Sequence, residues 1–260
     1  MNYETLLVTI ADGISRITLN RPKRKNAFSP RMATELTAVL GELEADDRVR
    51  VVVLRGAEGN FCSGGDLQGD GEPSGDGETD FLRLHYNPAV LALHHFPRPV
   101  VAVVEGVAAG AGVNLAIGCD LVYAAEGARF GVLFVQRALT LDCGGSWLLP
   151  RVVGLHKAKE LALFGEWLDA HEALRIGLVA GVMKSDQLDE HVDERAAKLA
   201  ALPPLALAAT KRGLNAAFQA ELADALDREA DSQLDLARSD DFAEAMRAFF
   251  EKKDAKYTGR

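Results

Sequence analysis

Two glycine-rich turns and one acidic side chain are the groups of this chain that could do chemistry. The first turn, Phe61-Cys62-Ser63-Gly64-Gly65-Asp66, follows the apolar run Val51 to Leu54. The second, Gly106-Val107-Ala108-Ala109-Gly110-Ala111-Gly112, follows Val101 to Val104 and runs into a helical Val113 to Ile117. Small residues let a ligand atom approach the main chain, and unpaired N–H groups at a helix start favour an oxygen carrying negative charge. Two such turns can form a two-donor oxyanion hole. Close packing of helix on strand explains the same small residues equally well. Asp142, in Leu141-Asp142-Cys143-Gly144-Gly145, lies between an apolar stretch and the start of a helix. It reads either as an N-cap or as an acid/base carboxylate.

Other catalytic signatures fail at defined positions. Gly144-Gly145-Ser146-Trp147-Leu148 ends on the wrong residue for a nucleophile elbow, and His171-Glu172-Ala173-Leu174-Arg175 is not HExxH. The histidines have no ligand spacing, so no metal is expected. Gly110-Ala111-Gly112 begins like a dinucleotide fingerprint, but Leu115 occupies the place of the third glycine. A nicotinamide fold stays only as an alternative.

The elements that must position these groups follow from patterning. Leu6 to Ile10 and Ile14 to Leu19, joined by Asp12-Gly13, predict a β-hairpin. Asn20 to Asn26 is a basic loop. Ser29-Pro30 opens a helix as N-cap and first residue, with Met32, Leu36, Leu40 and Leu43 on one face. Val49 to Leu54, Pro99 to Val104 and Leu121 to Ala124 are apolar runs of the kind covered on both faces. Gly69 to Asp80 is too polar to pack and reads as a mobile surface loop, followed by a helical Phe81 to His95. From about Leu155 the pattern predicts helices alone, at 155–164, 170–175, 185–201, 204–218, 221–236 and 239–252. The last carries an apolar stripe, Phe242, Met246, Phe249 and Phe250, suited to packing on the body or on another subunit. The expectation is an α/β chain with an all-helical tail, divided into a core over 1–200 and a helical region over 201–260.

Composition bounds the function. With 260 residues, 48% of them hydrophobic and 26% charged, the chain can bury a large core. A formal charge of -9 argues against a nucleic-acid face, so any anion site must be local. Three cysteines without a paired framework, no leader-like start and no apolar run of about 18 residues point to the cytoplasm rather than a membrane.

Asn20-Arg21-Pro22 with Asn26-Ala27, the two glycine-rich turns, Cys119-Asp120, Phe130-Gly131, and Ala173 with Gly177-Leu178-Val179 together resemble the crotonase, or enoyl-CoA hydratase/isomerase, superfamily. The resemblance implies a spiral ββα superhelix with a helical C-terminal trimerisation region. It also implies an acyl-CoA substrate, with coenzyme A as part of the substrate and no tightly bound cofactor, and a homotrimer or dimer of trimers. Carried onto this sequence, the oxyanion donors are the N–H groups of Gly65 and Ala111. The positions of the two glutamates that hydratases of the family use hold Asn114 and Phe134 here, which disfavours hydration. Asp142-Cys143-Gly144-Gly145 with Trp147-Leu148-Leu149-Pro150-Arg151 resembles the PaaG-type branch, the phenylacetate-pathway isomerases, whose aspartate at this position is the acid/base. The 4-chlorobenzoyl-CoA dehalogenases place a nucleophilic carboxylate there, but His94 and His95 do not match the spacing of their histidine.

The resulting expectation is an acyl-CoA isomerase that moves a double bond from Δ3 to Δ2 or isomerises a ring-1,2-epoxyphenylacetyl-CoA, with Asp142 as its one base. A hydratase with an atypical site and a non-catalytic acyl-CoA-binding protein are the alternatives. Asn114, Phe134, Leu141, Trp147, Leu148, Phe81, Leu84 and His85 are expected to line the pocket. Arg24 and Lys25, within the cationic run Arg21 to Lys25, together with Ser63, Asp66, Phe249 and Lys252, are expected to contact coenzyme A, the last two from a neighbouring subunit.

Overall fold

A computed structural model describes residues 3–67 and 81–260. The expected loop Gly69 to Asp80 lies outside the described residues. Strands β1 (Leu6–Ala11) and β2 (Ile14–Leu19) form the hairpin, turning through Asp12 and Gly13, both at positive φ. Helix α1 (Pro30–Glu44) starts where Ser29 Oγ accepts the Met32 N–H at 3.2 Å, and it buries the four predicted residues.

Three units then repeat a long strand, a short extended segment and a helix. Strand β3 (Val51–Gly56) leads through Phe61-Cys62 and, beyond the undescribed residues, to α2 (Asn87–His95). Strands β4 (Val100–Val104) and β5 (Val107–Ala109) lead to α3 (Ala111–Ile117). Strands β6 (Leu121–Ala125) and β7 (Arg129–Gly131) lead to α4 (Gly145–Val153). This is the ββα spiral that the motifs implied. The remainder is α5 (Leu155–Phe164), β8 (Trp167–Asp169), α6 (Ala170–Arg175), β9 (Gly181–Met183), α7 (Ser185–Ala200), α8 (Pro204–Ala216), α9 (Leu222–Leu236) and α10 (Asp240–Glu251).

The five longer strands and β9 form a six-stranded sheet, β1-β2-β3-β4-β6-β9, parallel except for the hairpin, while β5-β7-β8 form a second, three-stranded sheet. The continuous apolar runs have the expected cause. Val52, Leu54, Val100, Ala102 and Val104 pack in the core with α1, α2 and α3, whereas Val51, Val53, Val101 and Val103 face Leu188, Val192 and Ala196 of α7. The all-helical tail needs correction, because β8 pairs with β7 and β9 extends the main sheet. Both are three residues long, too short for alternation to be visible in sequence. Among the described residues no helix is long and apolar enough to cross a membrane.

Candidate active site

Short parallel pairing holds the two glycine-rich turns side by side. Cys62 N–H donates to Val107 O at 2.9 Å and Ala109 N–H to Cys62 O at 3.0 Å. A Cβ on Gly112 would lie 2.3 Å from Cys62 O, so only glycine lets α3 start this close to the first segment. Beyond the pairing the turns still touch, since a Cβ on Gly64 would lie 3.0 Å from Ala109 O. The N–H of Gly65 and that of Ala111, first residue of α3, have no hydrogen-bond partner among the described residues. They are available to a ligand oxygen.

The first turn is clamped by Phe28. Phe28 N–H donates to Gly64 O at 2.8 Å, and Asp66 N–H donates back to Phe28 O at 3.0 Å, fixing the peptide units on both sides of Gly65. The Tyr86 hydroxyl also donates to Phe28 O. Tyr86 ends a π-helical turn (Leu82–Tyr86), is buried, and would lie 3.6 Å from a Cβ on Gly65. Burial pushes its phenol pKa up, which keeps it a donor. Sequence reading placed Tyr86 in a pocket-forming segment without singling it out, because a buried aromatic carries no mark of its hydroxyl's use.

The Asn20-Arg21-Pro22 motif frames the same turn. Arg21 donates to Ala27 O at 2.8 Å and pairs with the Asp66 carboxylate at 2.7 Å, the two side chains only 11% and 4% exposed. Asn26, buried, accepts the Arg21 N–H at 3.0 Å and donates to Ala57 O at 2.9 Å and Asn60 O at 2.6 Å. Two expected coenzyme A contacts have partners within the chain: Asp66 pairs with Arg21, and the Ser63 hydroxyl donates to Arg24 O at 3.0 Å. Ser63 N–H also donates to Lys25 O at 3.0 Å, so the loop carrying the exposed Lys23, Arg24 and Lys25 is bonded to the first glycine-rich turn.

Asp142 reaches this place through α3. The buried Asn114 donates from Nδ2 to the main-chain O of Asp142 at 2.8 Å, and Gly145 N–H donates to the same oxygen at 2.8 Å. A Cβ on Gly145 would lie 2.3 Å from Asn114 Nδ2. Cys143 and Gly144, at φ 46 and 76, then turn the chain into α4. The N-cap reading of Asp142 is excluded, because Gly144 is the N-cap of α4 and no side chain caps that helix. Asp142 Oδ1 is buried and has no partner among the described residues, and Asn114 Oδ1 is in the same condition. Burial raises the Asp142 pKa to about 6, against a smaller opposing hydrogen bond from the Cys143 thiol. Burial first, and then the Asp142 charge, push the Cys143 thiol up, so it stays protonated. The Asp142 charge also acts on Cys62 and Tyr86, which flank the first turn.

Several expected pocket residues gather here. Phe134 is buried with Cζ 3.8 Å from where a Cβ on Gly110 would stand. Leu148, beside Gly144, and Leu141 belong to the surrounding core, and Phe81 sits edge-on to Tyr86 at 5.2 Å. Trp147 packs against the same core, stacks on Arg151 at 3.8 Å, meets His94 at 5.2 Å and with Leu148 lines a cavity of about 410 Å³ between α4 and α8. Others do not gather. His85 pairs with Thr34 of α1 at 2.9 Å, and Leu84 is exposed. Phe249, 75% exposed, and Lys252 stand at the outer end of α10. Among the described residues no group of three or more His, Cys, Asp or Glu converges to hold a metal ion.

Comparison with known proteins agrees with this fold. The family model for enoyl-CoA hydratase/isomerase matches residues 9–260. The chain is 42% identical over 260 residues to a probable enoyl-CoA hydratase of Rhodobacter capsulatus, covering 100% of both chains. It is 38% identical over 260 residues to the 1,2-epoxyphenylacetyl-CoA isomerase of Escherichia coli, covering 99% of each. The crystal structure of an enoyl-CoA hydratase from Bacillus anthracis superposes with a TM-score of 0.94 at 30% identity, covering 99% of this chain and 100% of that one.

Proposed function

The chain belongs to the enoyl-CoA hydratase/isomerase family, and from that premise we propose that it is an acyl-CoA isomerase with Asp142 as its one acid/base. The observation that carries this reading is the Asp142 carboxyl: half-buried, with Oδ1 buried and unpartnered among the described residues and a pKa of about 6, on a loop bonded to the helix whose first amide has no partner among the described residues. Asn114 and Phe134, at the glutamate positions, offer no second base.

In the proposed reaction Asp142 takes a proton from C2 of a 3-enoyl-CoA. The C–H electron pair forms the C1–C2 double bond and the carbonyl pair moves onto the thioester oxygen, held by Gly65 and Ala111 N–H. The C3–C4 double bond then takes the proton from Asp142 at C4, the double bond settles at C2–C3, and the carbonyl reforms. No atom is gained or lost. A ring-1,2-epoxyphenylacetyl-CoA is the other candidate substrate, suggested by the E. coli relative's name.

Arg24 and Lys25 are proposed to meet coenzyme A phosphates, joined by Phe249 and Lys252 of a neighbouring subunit in a trimer or dimer of trimers. Exposed apolar residues on α9 and α10, including Leu222, Leu226, Phe249 and Phe250, support assembly. Free, buried cysteines support a cytoplasmic setting. A hydratase with an atypical site is the second reading, favoured by the R. capsulatus relative's name and by Asn114 Oδ1, which can accept from a water. A panel of 3-enoyl-, 2-enoyl- and ring-epoxide CoA thioesters, resolved by mass and retention time, separates them. Isomers of unchanged mass support isomerisation. Water addition supports the hydratase, and binding without turnover leaves a non-catalytic acyl-CoA-binding protein.

A further inference from the structure

Two peptide units in series connect a buried cation to the first glycine-rich turn. Arg21 donates from Nη1 to Ala27 O at 2.8 Å. The N–H of that same peptide unit, on Phe28, donates to Gly64 O at 2.8 Å. The N–H of the Gly64 unit is the amide of Gly65, unpaired among the described residues. Hydrogen bonds in such a chain polarise one another, because drawing electron density toward a carbonyl oxygen makes the N–H of the same amide a better donor. A guanidinium is the strongest head group for this chain, since its hydrogen bonds are charge-assisted and it keeps its charge at every working pH.

We infer that Arg21 is a positioning residue for the reaction, acting through the Ala27–Phe28 and Gly64–Gly65 peptide units to orient the Gly65 N–H and strengthen it as a donor to the thioester oxygen. This rests on the Gly65–Ala111 oxyanion hole of the proposed function. The buried environment favours the effect, because little water competes for the intermediate carbonyls. The Arg21–Asp66 ion pair serves a different end: it anchors the fork and neutralises it, while the second nitrogen serves Ala27 O. The second donor has its own support, since Gly110 O, in the unit that carries Ala111 N–H, accepts from Val113 N–H at 3.1 Å and Asn114 N–H at 3.4 Å. Among the described residues only the Gly65 side draws on a charged group.

The test compares Asp66→Asn with Arg21→Met made in the Asp66→Asn background, so that the Arg21–Asp66 ion pair is absent from both and the Arg21 bond to Ala27 O is present in one and lost in the other. Each protein binds hexanoyl-CoA labelled with carbon-13 at the thioester carbonyl, and isomerisation of 3-hexenoyl-CoA is followed in parallel. The expected result is a smaller downfield displacement of the bound carbonyl resonance when Arg21 is replaced, with kcat lower by about 2- to 8-fold at unchanged KM, a fraction of the loss from deleting a whole oxyanion donor. Equal carbonyl displacement and equal kcat in the two proteins would overturn the inference. If the Asp66→Asn background does not fold, Arg21→Lys against wild type gives the same readings, because one ammonium cannot span Ala27 O and Asp66 as the fork does. Wild-type protein that binds the thioester without displacing its carbonyl resonance would instead remove the oxyanion hole, and with it the reading on which the inference rests.

Discussion

The Asn114 side-chain amide donates to the main-chain oxygen of Asp142 at 2.8 Å, so the helix that presents the Ala111 amide also holds the loop that carries the carboxylate. The proposed acid/base group and the proposed oxyanion donor are thus tied by one side chain, placed one helical turn past Ala111. Asn114→Ala tests the tie. Asp142 O keeps its bond from Gly145 N–H, so the stability loss is expected to be only about 1 kcal/mol, while kcat falls by roughly 10- to 100-fold as the carboxylate loses its alignment. Chemical denaturation and isomerase kinetics measure the two effects; undiminished kcat would mean that the carboxylate does not depend on this bond.

Gly112→Ala probes the closeness of the two turns. The new methyl would stand 2.3 Å from Cys62 O, a main-chain atom that cannot swing aside. Separating the segments is expected to cost about 1–3 kcal/mol or more of stability and to lower kcat by on the order of 10²-fold. A denaturation midpoint and turnover close to wild type would show that the turns can part without loss.

The Asp142 pKa has consequences for both stability and rate. Burial raises the folded-state value from 3.8 to about 6, so the native state binds this proton more tightly than the unfolded chain does. The group therefore stabilises the fold below about pH 4, and that contribution disappears as pH rises through about 6, a swing of roughly 2–3 kcal/mol. Asp142→Asn abolishes the titration. The variant should gain stability relative to wild type between about pH 4 and pH 7, while wild-type kcat/KM rises through about pH 6 to a plateau as the base ionises. Parallel stability curves for the two proteins across that range would contradict the raised pKa.

Much of this organisation was legible in sequence where a local rule had no competitor. The hairpin turn, the Ser29-Pro30 helix start and the apolar strands each follow from chemistry within a few residues. The glycine-rich turns were legible as possible oxyanion donors, although only the structure reveals that Gly112 is required by the approach of Cys62 O. What sequence could not deliver depends on distant partners. Asp66 and Arg21 looked like candidates for coenzyme A, because their pairing across 45 positions is visible only when folded. Trp147 was expected to line the pocket, and only the fold shows that it also stacks on Arg151, one helical turn on. Tyr86 resembled ordinary core. Strands β8 and β9 exist only because β7 and β6 offer them an edge.

The cationic loop gives a salt-dependent prediction. Lys23, Arg24 and Lys25 are exposed, with no ion pair among the described residues, and their loop is bonded to Ser63 beside the oxyanion turn. Replacing all three by alanine should raise KM for a coenzyme A thioester by roughly 3- to 10-fold at low ionic strength, with little change in kcat. The difference should shrink in about 0.5 M salt as charges are screened. A KM that does not change in dilute buffer would move the phosphate site elsewhere.

Turnover of purified Asp142→Asn with a 3-enoyl-CoA, set beside a binding titration with a saturated acyl-CoA, tests the central claim most directly. The account predicts thioester binding near that of wild type and isomerisation slower by about 10²–10⁴-fold or more, the scale of a lost general base. A folded variant that binds the thioester and isomerises it at close to the wild-type rate would contradict the assignment of Asp142 as the group that carries the proton.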